Sequence, residues 1–183
     1  MLIHPGGDGT RGLLRDPKHL DWVRTQRATF WAAIDIAEPG DVIVVDAGGV
    51  LTTAIIGDIM SSLAEKRSVA GMVIYGAIRD AAEIGARRFP VYACGVTHRG
   101  PYKNGPGEIN VPVALDGMVV NPGDIIVGDA DGVVAVPLAQ AEAILALARA
   151  QLAKETGMLK SIGKGKADRR WVDELLKQRG CEF

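Results

Sequence analysis

The chain of 183 residues is short of cysteine, of net charge and of uninterrupted apolar sequence, and each scarcity removes a class of protein. Its two cysteines, Cys94 and Cys181, lie far apart, so there is no disulfide framework to read. A formal net charge of -1 lacks the clustered positive surface that phosphate contact requires, which argues against a general nucleic-acid binder. Basic residues do gather at Lys160, Lys164, Lys166, Arg169 and Arg170, but Asp168, Asp173 and Glu174 are interleaved, as on a solvated helix face. The most apolar stretch, residues 132–153, is broken by Pro137, Gln140, Glu142, Arg149 and Gln151, so no bilayer-spanning run and no membrane partner are expected. The opening Met1-Leu2-Ile3-His4-Pro5 shows no basic-then-apolar leader pattern, and with so few cysteines a reduced, cytoplasmic location is expected.

What remains is a chain with 48% hydrophobic residues, long enough for one domain with a real core. Residues 18–37 place Leu20, Trp22, Val23, Phe30, Trp31, Ile34 and Ile36 loosely on one helical face, and Pro39-Gly40 ends it. Asp41 to Val45 reads as a buried strand, followed by a turn at Gly48-Gly49 and a helix beginning near Asp58. The unit then repeats: a strand from Gly71 to Tyr75, a short helix through Ala86, and a third strand from Pro90 to Cys94, where a buried thiol is expected. Beyond Gly95 the glycines and prolines at 100, 101 and 105–107 make a rigid loop. Short strands follow at Ile109–Val113, Met118–Val120, Asp124–Val127 and Val133–Val136, with turns at 121–124 and 129–132. Leu138 to Glu155 and Asp168 to Arg179 read as helices joined through Gly163-Lys164-Gly165. The expected class is α/β, with functional groups outside the carboxyl ends of the strands.

Two carboxylates and a guanidinium stand where such a site belongs. Asp58 is followed by twenty residues, Ile59 to Ile78, and then by Arg79-Asp80-Ala81-Ala82-Glu83. If Asp58 and Asp80 share a cleft, their oxygens can hold a hard divalent cation, directly or through its waters, while Arg79 grips an anion beside it. Each residue also has an ordinary role. Asp58 can cap the helix that starts there, Asp80 can be a first-turn acid, and Arg79 can pair with Glu83 at helical spacing. Other signals carry less. Gly7-Asp8-Gly9-Thr10-Arg11-Gly12 fits a dinucleotide-loop pattern but follows no strand, and Asp129-Ala130-Asp131-Gly132 opens like a calcium loop but lacks the remaining ligands. His98 is a weaker candidate for facing substrate.

The spacing Asp-x20-Arg-Asp-x2-Glu, preceded by Val44-Val45-Asp46-Ala47-Gly48-Gly49, resembles the 4-hydroxy-4-methyl-2-oxoglutarate aldolase family, which includes RraA-like relatives named for inhibiting ribonuclease E. The likeness runs from Pro39 to Pro137, through Gly71-Met72-Val73-Ile74-Tyr75-Gly76, Arg99-Gly100-Pro101, the stretch from Gly105 to Val113, and Pro122-Gly123-Asp124-Ile125-Ile126. It implies a single domain over 1–183 with a layered β/β/α swivelling-domain fold and flanking helices, an atypical N-terminal segment at 1–38 and a helical extension at 157–183. It also implies Mg2+ or Mn2+ as cofactor, held directly by Asp80 and through water by Asp58. Arg79 and Asp58 are the implied catalytic pair, and the backbone N–H groups of Ile59 and Met60 join them in binding a 2-oxo acid; Glu83 and Glu155 are weaker candidates, the latter toward a neighbouring subunit's site. The implied reaction is retro-aldol cleavage of 4-hydroxy-4-methyl-2-oxoglutarate or 4-carboxy-4-hydroxy-2-oxoadipate to pyruvate, with oxaloacetate decarboxylation through the same enolate. A homotrimer or hexamer is implied as well, though residues 7–31, with two tryptophans, depart from the family pattern where subunit contacts are built. The alternative is a non-catalytic regulator that binds a ribonuclease. Such relatives can lack the acid after the arginine, whereas Arg79-Asp80-x-x-Glu83 is complete here.

The only lysine between Asp41 and Asp80 is Lys66, at the end of a predicted helix, so no Schiff base is expected. Borohydride reduction in the presence of pyruvate should leave the mass of the intact chain unchanged; a trapped adduct would count against an enolate route without covalent attachment.

Overall fold

A computed structural model describes residues 2–3, 26–101, 107–166 and 169–181, with side chains from Thr29 onward. The chain separates into two compact units, Met1–Leu138 and Ala139–Phe183. In the first, β1 (Leu2–Ile3), α1 (Gln26–Ile36), β2 (Val42–Asp46), β3 (Ala54–Ile56) and α2 (Asp58–Lys66) precede β4 (Gly71–Ile78), α3 (Ala81–Gly85) and β5 (Val91–Val96). The hairpins β6 (Val113–Leu115) with β7 (Met118–Val120) and β8 (Ile125–Gly128) with β9 (Val133–Val136) complete it. The expected α/β class is what the elements form.

Strand β4 organises the sheet. Its first half pairs in parallel with β2, from Val42 opposite Gly71 to Asp46 opposite Tyr75, and its last residues pair with β3, so β2 and β3 follow one another along the same edge. Strand β5 runs parallel along the other edge, and β1 is antiparallel to β2. The β4 sequence GMVIYGAI is apolar without alternation because both of its faces are covered. On one face Met72, Ile74 and Ile78 pack with Ile43, Ile56, Phe30, Ile34, Ala64 and Ile84; on the other, Val73 and Val44 meet Val113, Leu115 and Val120. Helices thus supply the first cluster and the β6–β7 hairpin the second.

Several boundaries differ from the sequence expectation for identifiable reasons. Helix α1 is described from Gln26, and the expected residues 18–25 lie outside the described segments, as does the glycine pattern at 7–12. Strand β4 runs past Tyr75 to Ile78 because Gly76 is a packing residue: a Cβ there would lie 2.9 Å from the Ala47 Cβ. Strand β3 was not foreseen, since three residues are too few to show a period. The strand expected from Ile109 begins only at Val113, after Asn110 at φ 57° and Pro112, which has no N–H to give a ladder. Cys94, expected to be buried, is exposed, on a strand that has only β4 beside it among the described strands.

The second unit holds α4 (Ala141–Gly163), entered through a 3-10 turn at Leu138–Gln140, and α5 (Arg170–Gln178). Helix α4 continues past Glu155 through Gly157, whose helical cost of roughly 1 kcal/mol is too small to stop a long helix. The extension expected from residue 157 therefore begins inside this helix. Lys160, Lys164, Lys166, Arg169 and Arg170 are exposed, as a solvated face requires. Among the described residues, no helix is long and apolar enough to cross a membrane.

Ile74 is 1% exposed in the helix-side cluster. Ile74→Ala should lower unfolding free energy by about 2–5 kcal/mol, through lost transfer energy and a residual cavity. A urea denaturation midpoint close to the parent value would show that β4 is not the centre of the core.

Candidate functional site

The site is assembled at the carboxyl ends of β3 and β4. The Arg79 amide donates to the Ile56 carbonyl (3.0 Å), which stitches the end of β4 to the last residue of β3 and sets Arg79-Asp80 beside Gly57-Asp58. Asp80 then takes a left-handed backbone, φ 55° and ψ 39°, a conformation that aspartate tolerates better than most residues but that still carries a cost of order 1 kcal/mol. Although it occupies the N-cap position of α3, its side chain does not cap that helix. Instead Oδ2 accepts the backbone N–H of Asp58 at 3.0 Å, across the two strand ends.

Gly57 makes this approach possible. A Cβ at Gly57 would collide with Oδ2 of Asp80 and come within 2.8 Å of both Cγ and Nε of Arg79, so any side chain would push the pair away. Arg79 Nε stands 3.5 Å from the same Oδ2. The ion pair considered for Arg79 with Glu83 is not formed; Glu83 is exposed on α3. Both contacts of Asp80 fall on Oδ2, and the side chain is 40% exposed, which leaves Oδ1 as an available oxygen donor.

Asp58 is the first residue of α2, not its cap; the cap position is Gly57. Its Oδ1 is held by a residue the sequence reading missed. Arg87, just beyond α3, places NH2 3.0 Å from Asp58 Oδ1 and 2.6 Å from Ser61 Oγ, and NH1 2.9 Å from Ser62 Oγ and 3.0 Å from Glu65 Oε2. Ser62 Oγ donates to the same Asp58 oxygen at 3.2 Å. Arg87 was invisible because its partners lie on another helix, over twenty residues away. The one available signal was Ser61, Ser62 and Glu65 on a single face of the helix that Asp58 opens.

Beside this cluster lies a pocket of about 350 Å3. Arg79, Gly57, Ile59 and Met60 form one side, with Val45, Asp46, Ala47, Ile55 and Ile56 from the strand ends. Thr29, Phe30 and Trp31 of α1 also line it, and Gly100, Pro101, Gly107 and Glu108 complete the described lining. The Gly100 position lies 3.8 Å from Arg79 NH1, measured from a Cβ built there. Of the predicted site residues, Asp58, Arg79 and Asp80 are brought together, with the N-terminal turn of α2 that carries Ile59 and Met60. His98 is exposed on the loop after β5 and does not line the pocket. Glu155 is in the other unit, where Gln151 donates to its carboxylate at 2.8 Å. Among the described residues no three His, Cys, Asp or Glu side chains converge as a ready metal cage. The oxygen pair Asp58 and Asp80 instead suits a hard cation that keeps most of its waters.

Gly57→Ala should cost about 1–3 kcal/mol by overpacking against Arg79 and Asp80, read by urea denaturation. It should also accelerate exchange of the Asp58 amide hydrogen; an unchanged rate would mean that the carboxylate does not hold that N–H.

A family described as RraA-like, Aldolase/RraA, matches residues 19–135. A Halalkalibacterium halodurans protein named "Putative 4-hydroxy-4-methyl-2-oxoglutarate aldolase" is 40% identical over 141 residues, 76% of this chain and 67% of that protein. Streptomyces coelicolor RraAS2, described as an unusual member of the RNase ES inhibitor RraA protein family, superposes with a TM-score of 0.65 at 33% identity, covering 71% of this chain and 67% of its own. An uncharacterized protein from Pseudomonas syringae pv. tomato gives 0.68 at 30% identity, covering 72% and 66%. The chain thus spans about two thirds of the length of these relatives. By the extent of the family match and by the shared fold, the chain belongs to the RraA-like family of aldolases and RraA proteins.

Proposed function

We propose that this chain is a divalent-metal-dependent lyase that cleaves 4-hydroxy-2-oxo acids to pyruvate and decarboxylates oxaloacetate through the same enolate. The observation that carries the reading is the approach of Asp80 and Arg79 to the first turn of α2, permitted by Gly57. The name of the Halalkalibacterium relative supports an aldolase. Asp80 would hold Mg2+ or Mn2+ directly and Asp58 through a bound water, from a donor set of oxygens alone. When bound, the metal supplies Lewis-acid stabilisation of negative charge on the substrate's keto oxygen.

The chain's own residues supply the rest. Arg79 offers a planar, permanently charged fork to the carboxylate and keto oxygens of a 2-oxo acid. The N–H groups of Ile59 and Met60, in the first turn of α2, face the same anion with the positive end of the helix dipole. In the cleavage step the C4 hydroxyl loses its proton to a base and the C3–C4 bond breaks. Its electron pair becomes the enolate of pyruvate, and protonation at C3 completes the product, so the reaction is redox-neutral. Charge developing on the C2 oxygen is met by donors already in place, the stabilisation that usually dominates such catalysis. Arg87 keeps Asp58 in one orientation through Oδ1. A trimer or a multiple of it, in a cytoplasmic setting, is part of the proposal.

Asp80→Asn preserves shape but removes the anionic ligand, and Arg79→Lys keeps charge but loses the fork. Each should lower kcat/KM for pyruvate release by about a hundredfold or more with the fold intact by circular dichroism. Exhaustive chelation should abolish activity and added Mg2+ should restore it. Full activity in both folded variants would displace the site. A parent protein that releases no pyruvate from any 2-oxo acid yet binds a ribonuclease tightly would replace the lyase with a regulator.

A further inference from the structure

Segment 80–87 is tied to one residue at both of its ends. At its start Asp80 Oδ2 accepts the Asp58 amide at 3.0 Å, and at its end Arg87 NH2 stands 3.0 Å from Asp58 Oδ1. We propose that Arg87 is a positioning residue for the cation site, acting through the Asp58 side chain and not through the stability of the fold. This rests on the metal-dependent lyase reading and adds to it a residue outside the Asp58, Arg79 and Asp80 set.

Asp58 needs such a partner. It is the first residue of α2 and its side chain is 43% exposed, so alone its carboxylate would sample several rotamers in water. Arg87 and Ser62 both take Oδ1, at 3.0 and 3.2 Å, and among the described residues no hydrogen bond or ion pair falls on Oδ2. One oxygen fixes the group, and the other remains for a water of the cation. The guanidinium is itself fixed. NH2 also reaches Ser61 Oγ at 2.6 Å, and that buried hydroxyl lies 3.1 Å from the Gly57 carbonyl and 3.0 Å from the Asp58 carbonyl. The fork is therefore referenced to the backbone of the turn that carries the carboxylate. Partners of this kind set the orientation of metal-binding groups before the metal arrives.

As a stabilising device the same arginine is a poor choice. Its Nε is buried and makes no hydrogen bond among the described residues, a desolvation cost that the terminal nitrogens must offset. Its two acidic partners, Asp58 and Glu65, are 43% and 40% exposed, so water would solvate both if the guanidinium were gone. Ion pairs of that exposure contribute little to stability. An unbranched apolar side chain could occupy the same space at small cost, but it could not hold Asp58 Oδ1.

The test uses the full chain, with Mn2+ binding read by calorimetry in the absence of substrate and turnover read on oxaloacetate at saturating Mn2+. Arg87→Met should keep a urea midpoint close to the parent's, weaken Mn2+ binding by about tenfold and lower kcat by about tenfold or more. KM should change little, because Arg79 and the first turn of α2 hold the anion. Arg87→Lys keeps a charge near Oδ1 but loses the fork to Ser61, so it should recover part of both losses. It carries the comparison where the methionine variant does not fold. In an Asp58→Ala background Arg87→Met should weaken Mn2+ binding by less than about twofold, since the side chain it acts through is gone. A folded Arg87→Met with parental Mn2+ affinity and kcat overturns the inference and leaves the lyase reading standing. An undiminished loss in the Asp58→Ala background overturns it as well, because Arg87 would then act through the fold. Mn2+ binding that depends on Arg87 through Asp58, in a parent that releases no pyruvate, overturns the lyase reading alone, and a parent that binds no Mn2+ overturns both.

Discussion

The site depends on one hydrogen bond between strand ends, from the Asp58 amide to the Asp80 carboxylate at 3.0 Å. It fixes where the second acid and the arginine before it stand relative to the helix whose amides open the pocket. Two constraints hold it. Gly57 leaves space that no side chain could share with Oδ2, and the left-handed backbone of Asp80 turns the chain from β4 into α3 at that point. Neither would be stable on a flexible loop. Both sit on the parallel register of β3 and β4, closed by the Arg79 amide on the Ile56 carbonyl. A strained residue survives where its surroundings over-determine it, and here a buried strand with both faces covered supplies that determination.

Most of the helices and strands that position the site could be read from sequence because their signals are local. The β-branched run before Arg79, the turn signals around Gly48-Gly49 and the acid opening α2 each follow from residue type and spacing, and the structure has them there. What could not be read was non-local. Strand β3 is too short to show alternation, and its existence follows from pairing with β4. Gly76 looked like the end of a strand because its reason for being glycine is Ala47, distant in sequence. Cys94 looked buried because the sequence shows an apolar strand but not that the strand is at an edge.

The candidate site divides the same way. Asp58, Arg79 and Asp80 were legible from a single spacing, yet the ordinary roles weighed against them proved structurally wrong in detail. Asp58 is not the cap of α2, Asp80 stands at the N-cap position and not in the first turn of α3, and Arg79 does not pair with Glu83. Each of these roles is local to one helix, whereas the observed contacts of Asp80 and Asp58 cross between elements. Arg87 is the converse case. Its guanidinium gathers Asp58, Ser61, Ser62 and Glu65, and nothing in its own neighbourhood of sequence announces that.

The electrostatic arrangement also bears on how one fold serves both lyases and regulators. Asp58 and Asp80 bring two negative charges to neighbouring strand ends, and each is met by an arginine, Arg87 for the first and Arg79 for the second. The two arginines are not equivalent. Arg87, 22% exposed and bonded to three other side chains, is committed to α2. Arg79 has one long contact, 3.5 Å, and lines the pocket. An arginine held this loosely costs little to redirect toward an incoming anion, because the contact given up is exposed and weak. Loss of the acid after Arg79 would leave the fold and the Arg87 cluster in place while removing the oxygen donor beside the pocket. On the lyase reading proposed above, that one position would separate chemistry from binding while leaving the β3–β4 pairing as it is.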